Sequence, residues 1–347
     1  MAAPLPMAAG SPAPPHGAAP SAGGRRTWIA PLLVLVLLAT VPLYAGEYLQ
    51  DFIVKIVILA IFALSLQLLV GTTGLVSLGH AAFLGIGAYA AVLSAPASGP
   101  GSLFGTLAIS MACAGAYALF VGALSLRTRG VYFIMVTLAF AQMAYFVFHD
   151  TKLGGGSDGI YLGRRPVFGD LLDLRERHHF YAVAVAALAF TYALLALLLR
   201  SRFGHALVGI RLNEQRMRAT GFRTYGYKLA AFVIGGTLAG LAGFLIATRD
   251  GFVNPEMLSW HESGAVLLML ILGGLGHLRG AVLGALAFTL LKEVYSSHGW
   301  VGWFADHWQL TLGLTIIALV AFMPKGLIGL PAQLRGAARP REVADDE

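Results

Sequence analysis

Charge, cysteine and catalytic signatures are all scarce in this chain, and each shortage removes a class of answer. Charged side chains make up 12% of its 347 residues against 57% hydrophobic ones. That much apolar surface cannot be hidden inside one water-soluble core, and a bilayer is the solvent that suits it. The single cysteine, Cys113, lies in the apolar run from Phe104 to Leu126, so the chain holds no disulfide framework and no thiolate metal cluster. There is no glycine-rich phosphate loop ending in Lys-Ser/Thr, no His-Glu-x-x-His metal pair and no Gly-x-Ser-x-Gly nucleophile turn. The expectation is a protein without catalytic residues, resident metal or cofactor, and any ATP that drives it must bind another polypeptide. Carboxylates are missing from the long apolar runs, since Asp51, Asp150, Asp250, Glu256 and Glu262 fall at ends or in loops. Proton- and sodium-coupled carriers usually need such groups buried.

What is present is a series of runs long enough to cross roughly 30 Å of hydrocarbon. They cover Trp28 to Ala45, Phe52 to Val70, Ser77 to Ala95, Phe104 to Leu126, Val131 to Phe148, Phe180 to Leu199, Leu229 to Thr248 and Trp308 to Met323. Arg25 and Arg26 before the first run give it the start of a signal peptide, and with so many spans behind it we read an uncleaved first helix. Two shorter runs, Gly264 to Leu272 and Ala281 to Ser296, flank the glycine-rich stretch of residues 273 to 280 and read as a broken or re-entrant pair. Unwound backbone at membrane depth is tolerable only against protein or a cavity, so the break should face a pathway or a partner. The expected fold is therefore all-α, a polytopic transmembrane helical bundle of about eight full spans plus that pair. Residues 1 to 27 read as a disordered cytoplasmic tail, 28 to 330 as the transmembrane domain and 331 to 347 as a cytoplasmic C-terminal tail.

The net charge of +7 does not point to nucleic acid, because the basic residues sit at the ends of apolar runs. With a cytoplasmic N-terminus, four clusters on that side hold fifteen of the 24 Lys and Arg, which sets the orientation of a multi-pass protein with both termini inside. The richest cluster, residues 200 to 228, holds seven basic residues and one acid, Glu214. Phe203, Leu207 and Ile210 fall at helical spacing there, Arg211, Asn213, Glu214, Arg216 and Arg218 follow, and Gly221 stops the helix. The pattern reads as a short amphipathic helix across the cytoplasmic face. Taken alone it serves equally for a helix resting on anionic lipid.

Several motifs in order resemble one family. They are GTTGLVSLGHAAFLGIGAYAA at 71 to 91, MVTLAFAQM at 135 to 143, GGGSDGI at 154 to 160, SRFGHALVGIRLNEQRMRATGF at 201 to 222, YKLAAFVIGGTLAGLAG at 227 to 243, and PEMLSWHESG followed by ILGGLG up to residue 276. Their order and spacing are similar to the LivM-type permeases of branched-chain amino acid ABC importers, a family that also includes urea and amide permeases. The resemblance implies an inner-membrane permease that pairs with a second homologous permease, two cytoplasmic ATP-binding subunits and an extracytoplasmic substrate-binding protein. Residues Phe203, Leu207, Arg211, Glu214, Arg216 and Gly221 would then couple it to the ATPase. Glu214 and Gly221 stand one residue further apart than the Glu and Gly of the family's coupling motif. GHLRG at 276 to 280 also replaces an expected Gly-Thr-Leu-Trp-Gly.

An amino acid crossing the membrane brings a carboxylate, an ammonium and an apolar side chain. Helix N-termini at broken spans suit the first, and carbonyls or hydroxyls the second. Candidate pathway residues are Gln67, Ser77, His80, Thr137 and Gln142 inside spans, with Gly274, Gly276 and His277 at the break. For His80 and Gln142 the first reading is a hydrogen bond between helices and the second a pathway contact. The loop from Gly154 to Gly159 reads as a tight turn that docks the binding protein. A faint repeat relates LGHAAFLGIGA at 78 to 88 to LGHLRGAVLGA at 275 to 285. The rival readings are a urea or short-amide permease of the same family, a secondary carrier working alone, and a membrane scaffold, which the broken pair disfavours.

Overall fold

A computed structural model describes residues 34–35, 37–38, 40–44, 46–96, 101–163, 165–168, 172–174, 176–297, 307–323 and 326–329. Both expected tails and half of the apolar run at 28 to 45 lie outside the described residues. The main helices are α1 (Glu47–Gln67, continued by a π-helical turn at Leu68–Thr73), α2 (His80–Leu93), α3 (Leu103–Ser125), α4 (Val131–Asp150) and α5 (Arg177–Arg200). After these come α6 (Arg202–Leu212), α7 (Glu214–Ala219), α8 (Thr224–Asp250), α9 (Trp260–Gly273), α10 (Leu278–Ser296) and α11 (Trp308–Phe322). Two-residue strand pairs, Ile160–Tyr161 with Phe252–Val253 and Val167–Phe168 with Leu172–Asp173, pin the connections at one end of the bundle. The fold is thus an all-α transmembrane bundle. Among the described residues six helices are long and apolar enough to cross a membrane, or seven if the α9–α10 pair counts as one span.

Helices α1, α2 and α8 form the centre, and small residues set how closely they approach. A Cβ added to Gly87 of α2 would stand 2.6 Å from the Cα of Gly240, and one added to Gly243 of α8 would stand 2.0 Å from the carbonyl oxygen of Leu84. Backbones this close gain dispersion contacts that lipid cannot supply, which is the driving force left to helices in a membrane. Gly243→Val is therefore expected to force α2 and α8 apart at a cost above the ~1–3 kcal/mol of ordinary overpacking. Its signature would be a lost thermal transition and aggregation of the detergent-solubilised protein.

The structure departs from the sequence reading in two places. The expected span at 77 to 95 is a helix of only 14 residues, α2, because residues 74 to 79 carry no helix. Gly74 turns the chain at φ 74°, and Gly79 sits so close to the Thr137 carbonyl that a Cβ would meet it at 2.2 Å. Unwound segment and helix together lead the chain from one face of the bundle to the other. Secondly, the amphipathic segment is two helices: Asn213 is extended (φ −158°, ψ 96°) and its side chain accepts from the Arg216 N–H at 2.9 Å, closing α6 and capping α7. The broken pair is where the sequence placed it, bending by 114° at Gly274–His277, so that α10 runs back beside α9. A Cβ at Gly284 would lie 1.8 Å from the Met269 carbonyl oxygen, so this hairpin too is closed by glycine. Both copies of the faint repeat open a helix after an unwound stretch, with Gly79 as N-cap of α2 and His277 as N-cap of α10.

Candidate functional site

The basic face is built by α6 and α7. On α6, Ala206, Leu207 and Ile210 are buried against the bundle, while Phe203 stacks on Tyr227 with centroids 5.6 Å apart. The opposite edge leaves Val208 46% and Leu212 81% exposed, one helical turn apart, while Phe222 lies against Tyr227 with centroids 5.9 Å apart. Apolar side chains standing out on an otherwise basic platform mark a contact surface. Helix α7 ends at Gly221 (φ 89°), where the Gly221 N–H reaches the Arg218 carbonyl at 2.9 Å and the Phe222 N–H reaches that of Met217 at 3.1 Å. This double closure needs a left-handed residue, which glycine adopts without strain. Arg216 is exposed.

Glu214, the one acid of the segment, is turned inward. Its carboxylate accepts from Lys228 at 2.6 Å, Arg218 at 2.6 Å and Thr224 at 3.1 Å, tying α7 to the start of α8. Burial alone would push this carboxyl up, but the bonds from Lys228, Arg218 and Thr224 outweigh burial and bring it down to about 2. A carboxyl held below its free value of 4.5 contributes stability that is complete above that pH and is lost as the pH falls toward 2. Acidification from pH 5 to pH 3 is thus expected to lower the protection of the amides in residues 213 to 224, measured as exchange relative to the unstructured rate at each pH. Glu214→Gln should show low protection throughout and without that step.

Arg211, at the end of α6, donates through Nη1 to the carbonyl of Gly71 in the π-helical turn of α1. A cation at a helix C-terminus also meets the negative end of the helix dipole. One turn back along α1, Gln67 is 2% exposed, and a Cβ on Gly71 would stand 2.4 Å from the end of its amide. With the amide assigned so that its oxygen faces the break, Gln67 accepts from the N–H groups of Gly276 (2.6 Å) and His277 (2.8 Å). Gly274 (φ 111°) and Gly276 (φ 90°) supply the left-handed backbone that aims these two groups at α1. The break lies level with the basic face, because His277 and Arg279 share a cleft of about 380 Å³ with Arg200 at the end of α5. Four of the sequence candidates, Gln67, Gly274, Gly276 and His277, are thus brought together beside Arg211.

Ser77, His80 and Thr137 form a second group deeper in the bundle. The Ser65 hydroxyl donates to the Phe62 carbonyl at 2.7 Å, so His80 Nε2, 2.8 Å away, is the donor to Ser65 Oγ. The imidazole stacks on Phe62 at 5.4 Å and meets the edge of Phe83 at 5.5 Å. Ser77 Oγ accepts from the Gly79 N–H at 3.2 Å, and the Thr137 hydroxyl bonds back to its own helix at Ile134. Gln142 stands apart, half-buried on α4. The Gly154–Gly159 loop is a pair of tight turns, and its Gly154 carbonyl accepts from the Tyr89 hydroxyl at 3.3 Å.

Sequence reasoning named the break at Gly71 to Gly79 as a candidate and passed over Ser263 and the cavity at the other end of α1. Ser263 of α9 accepts from the Ala81 N–H at 2.9 Å and so caps α2 from another helix, a contact no local motif displays. The cavity, about 870 Å³, opens on the face opposite the platform between α1, α8, α9, α10 and α11. Its deep wall is apolar and includes Phe62, Leu84, Met269 and Phe288. Between Phe62 and Gly71 the path along α1 is closed by about 14 Å of packed protein at the helical rise.

The chain matches the family described as branched-chain amino acid transport system, permease component, over residues 48–320. It is similar to the high-affinity branched-chain amino acid transport system permease protein LivM of Escherichia coli strain K12, 30% identical over 318 residues that cover 85% of this chain and 73% of that protein. LivM of Salmonella typhimurium strain LT2 is 29% identical over 86% of this chain and 74% of its own length. A shorter similarity, 30% over 144 residues, relates 40% of this chain to 41% of the autoinducer 2 import system permease protein LsrC of Escherichia coli O9:H4. No solved structure gives a significant match.

Proposed function

The chain belongs to the permease-component family of branched-chain amino acid transport systems, and from that membership we propose that it is the membrane-spanning subunit of an ABC importer for branched-chain or related amino acids. The platform of α6 and α7 faces the cytoplasm in this reading, with both chain termini on the same side, in keeping with the excess of Lys and Arg there. A second homologous permease completes the membrane unit, two ATP-binding subunits press on the platforms, and an extracytoplasmic binding protein delivers solute to the opposite face.

The observation that carries the proposal is the linkage along α1. Its inner end is fastened to the platform through Arg211 and Gly71, and Gln67 holds the break closed one turn away. At its outer end the same helix lines the open cavity. Displacing the platform therefore acts on the helix that separates one side from the other, which is what alternating access requires. Val208 and Leu212 give the ATP-binding subunit an apolar foothold, and Arg216 stands beside them for charge pairing.

The test places a thiol at residue 216 in a Cys113→Ala background. Arg216→Cys is expected to cross-link to the ATP-binding subunit and to react with a membrane-impermeant reagent in inverted vesicles only. Labelling from outside intact cells would overturn both the orientation and the coupling role.

A further inference from the structure

Lys55 is a charge that the apolar run around it gives no reason to expect. It stands nine residues into α1, about 12 Å along the helix from Glu47, and it lines the cavity together with Arg249 and Lys292. No carboxylate among the described residues lies within ion-pairing distance of Lys55 or Lys292. The two acids that act on Lys55 electrostatically are already engaged: Asp250 is held by Arg249 at 3.0 Å, and Glu293 accepts from the Tyr48 hydroxyl at 2.5 Å. Lys292 has only the ring face of Trp308, 5.2 Å from its ammonium. Cations in a bundle interior are ordinarily paired, because an uncompensated one carries the full cost of desolvation.

We infer that the cavity is a carboxylate-binding vestibule in which Lys55 and Lys292 together receive the carboxylate of the transported solute. This rests on the importer reading and narrows it, since urea and neutral amides offer those two ammonium groups no countercharge. The rest of the cavity suits an amino acid. Glu256 and Glu262 line it and can meet an ammonium group. Phe62, Met269 and Phe288 supply the apolar wall against which a branched side chain loses its water. The cavity thus presents charge of both signs above an apolar wall, which is the pattern of a zwitterion with a hydrophobic side chain.

The test is uptake into proteoliposomes holding the complete importer, with leucine, leucinamide and urea as labelled solutes. The native system is expected to take up leucine at least about tenfold faster than leucinamide or urea, neither of which carries a carboxylate. Lys55→Gln with Lys292→Gln should slow leucine uptake about tenfold or more at equal protein content, and Lys55→Arg with Lys292→Arg should restore most of it because the charge is kept. Native leucine uptake by the glutamine pair, or an equal loss in the arginine and glutamine pairs, would overturn the vestibule while leaving the importer in place. Urea or leucinamide moving as fast as leucine would do the same. A native system that moves none of the three would remove the importer reading itself.

Discussion

Gln67→Leu is expected to reduce solute uptake by about tenfold or more, through loss of two hydrogen bonds worth ~1 kcal/mol each. The side chain is buried, and its amide oxygen joins α1 to the N–H groups of Gly276 and His277. Leucine fills a similar volume, so the helix should persist while the break loses its latch. The same joint can be loosened from the other side. Gly71→Ala places a methyl group 2.4 Å from the Gln67 amide oxygen and must push it from its place. Two chemically different lesions should therefore give one phenotype, slow uptake by a correctly assembled complex. Native uptake by Gln67→Leu would show that the break is held shut elsewhere.

Arg211→Ala is expected to separate ATP hydrolysis from transport. The guanidinium donates to the Gly71 carbonyl, and its stem lies against Gly74, within 3.4 Å of where a Cβ would be. A charge-assisted hydrogen bond of this kind contributes ~1.5–3 kcal/mol, and among the described residues no other side chain of α6 hydrogen-bonds to the turn of α1. Without it the platform still has Leu207 and Ile210 buried and still presents Val208 and Leu212, so the ATP-binding subunits should dock and turn over. Solute moved per ATP should fall by about tenfold or more. Arg211→Lys should recover part of this, since lysine offers a point charge on a differently shaped stem. Hydrolysis and uptake falling together would instead mean that Arg211 serves assembly.

The helical bundle was legible because span-length apolar runs have few other uses, and the break because Gly273 to Gly280 is too rich in glycine to continue a helix. The short α2 was not legible. Leu75, Val76 and Leu78 in the unwound stretch are as apolar as the helix that follows, and only Gly74 and Gly79 hint that the backbone leaves helical geometry. Arg211 and Glu214 were both found as members of a coupling segment, yet their partners were hidden by distance along the chain. Gly71 lies 140 residues from Arg211, and Lys228 lies 14 from Glu214. Lys55 stood in plain view inside the run from Phe52 to Val70. A hydropathy average absorbs one lysine without trace, whereas the cost of desolvating it does not average away.

The last turn of α1, Leu68–Thr73, winds with one residue more per hydrogen-bonded loop than the helix before it, and the Gly74 N–H closes on the Leu69 carbonyl. A widened turn is a register fault parked at the end of a rod. Letting it slip by one position would swing whatever follows by about 100° around the rod's axis while leaving the rod itself straight. Such a slip, made where the basic platform grips the rod, would be a discrete rotation instead of a gradual bend.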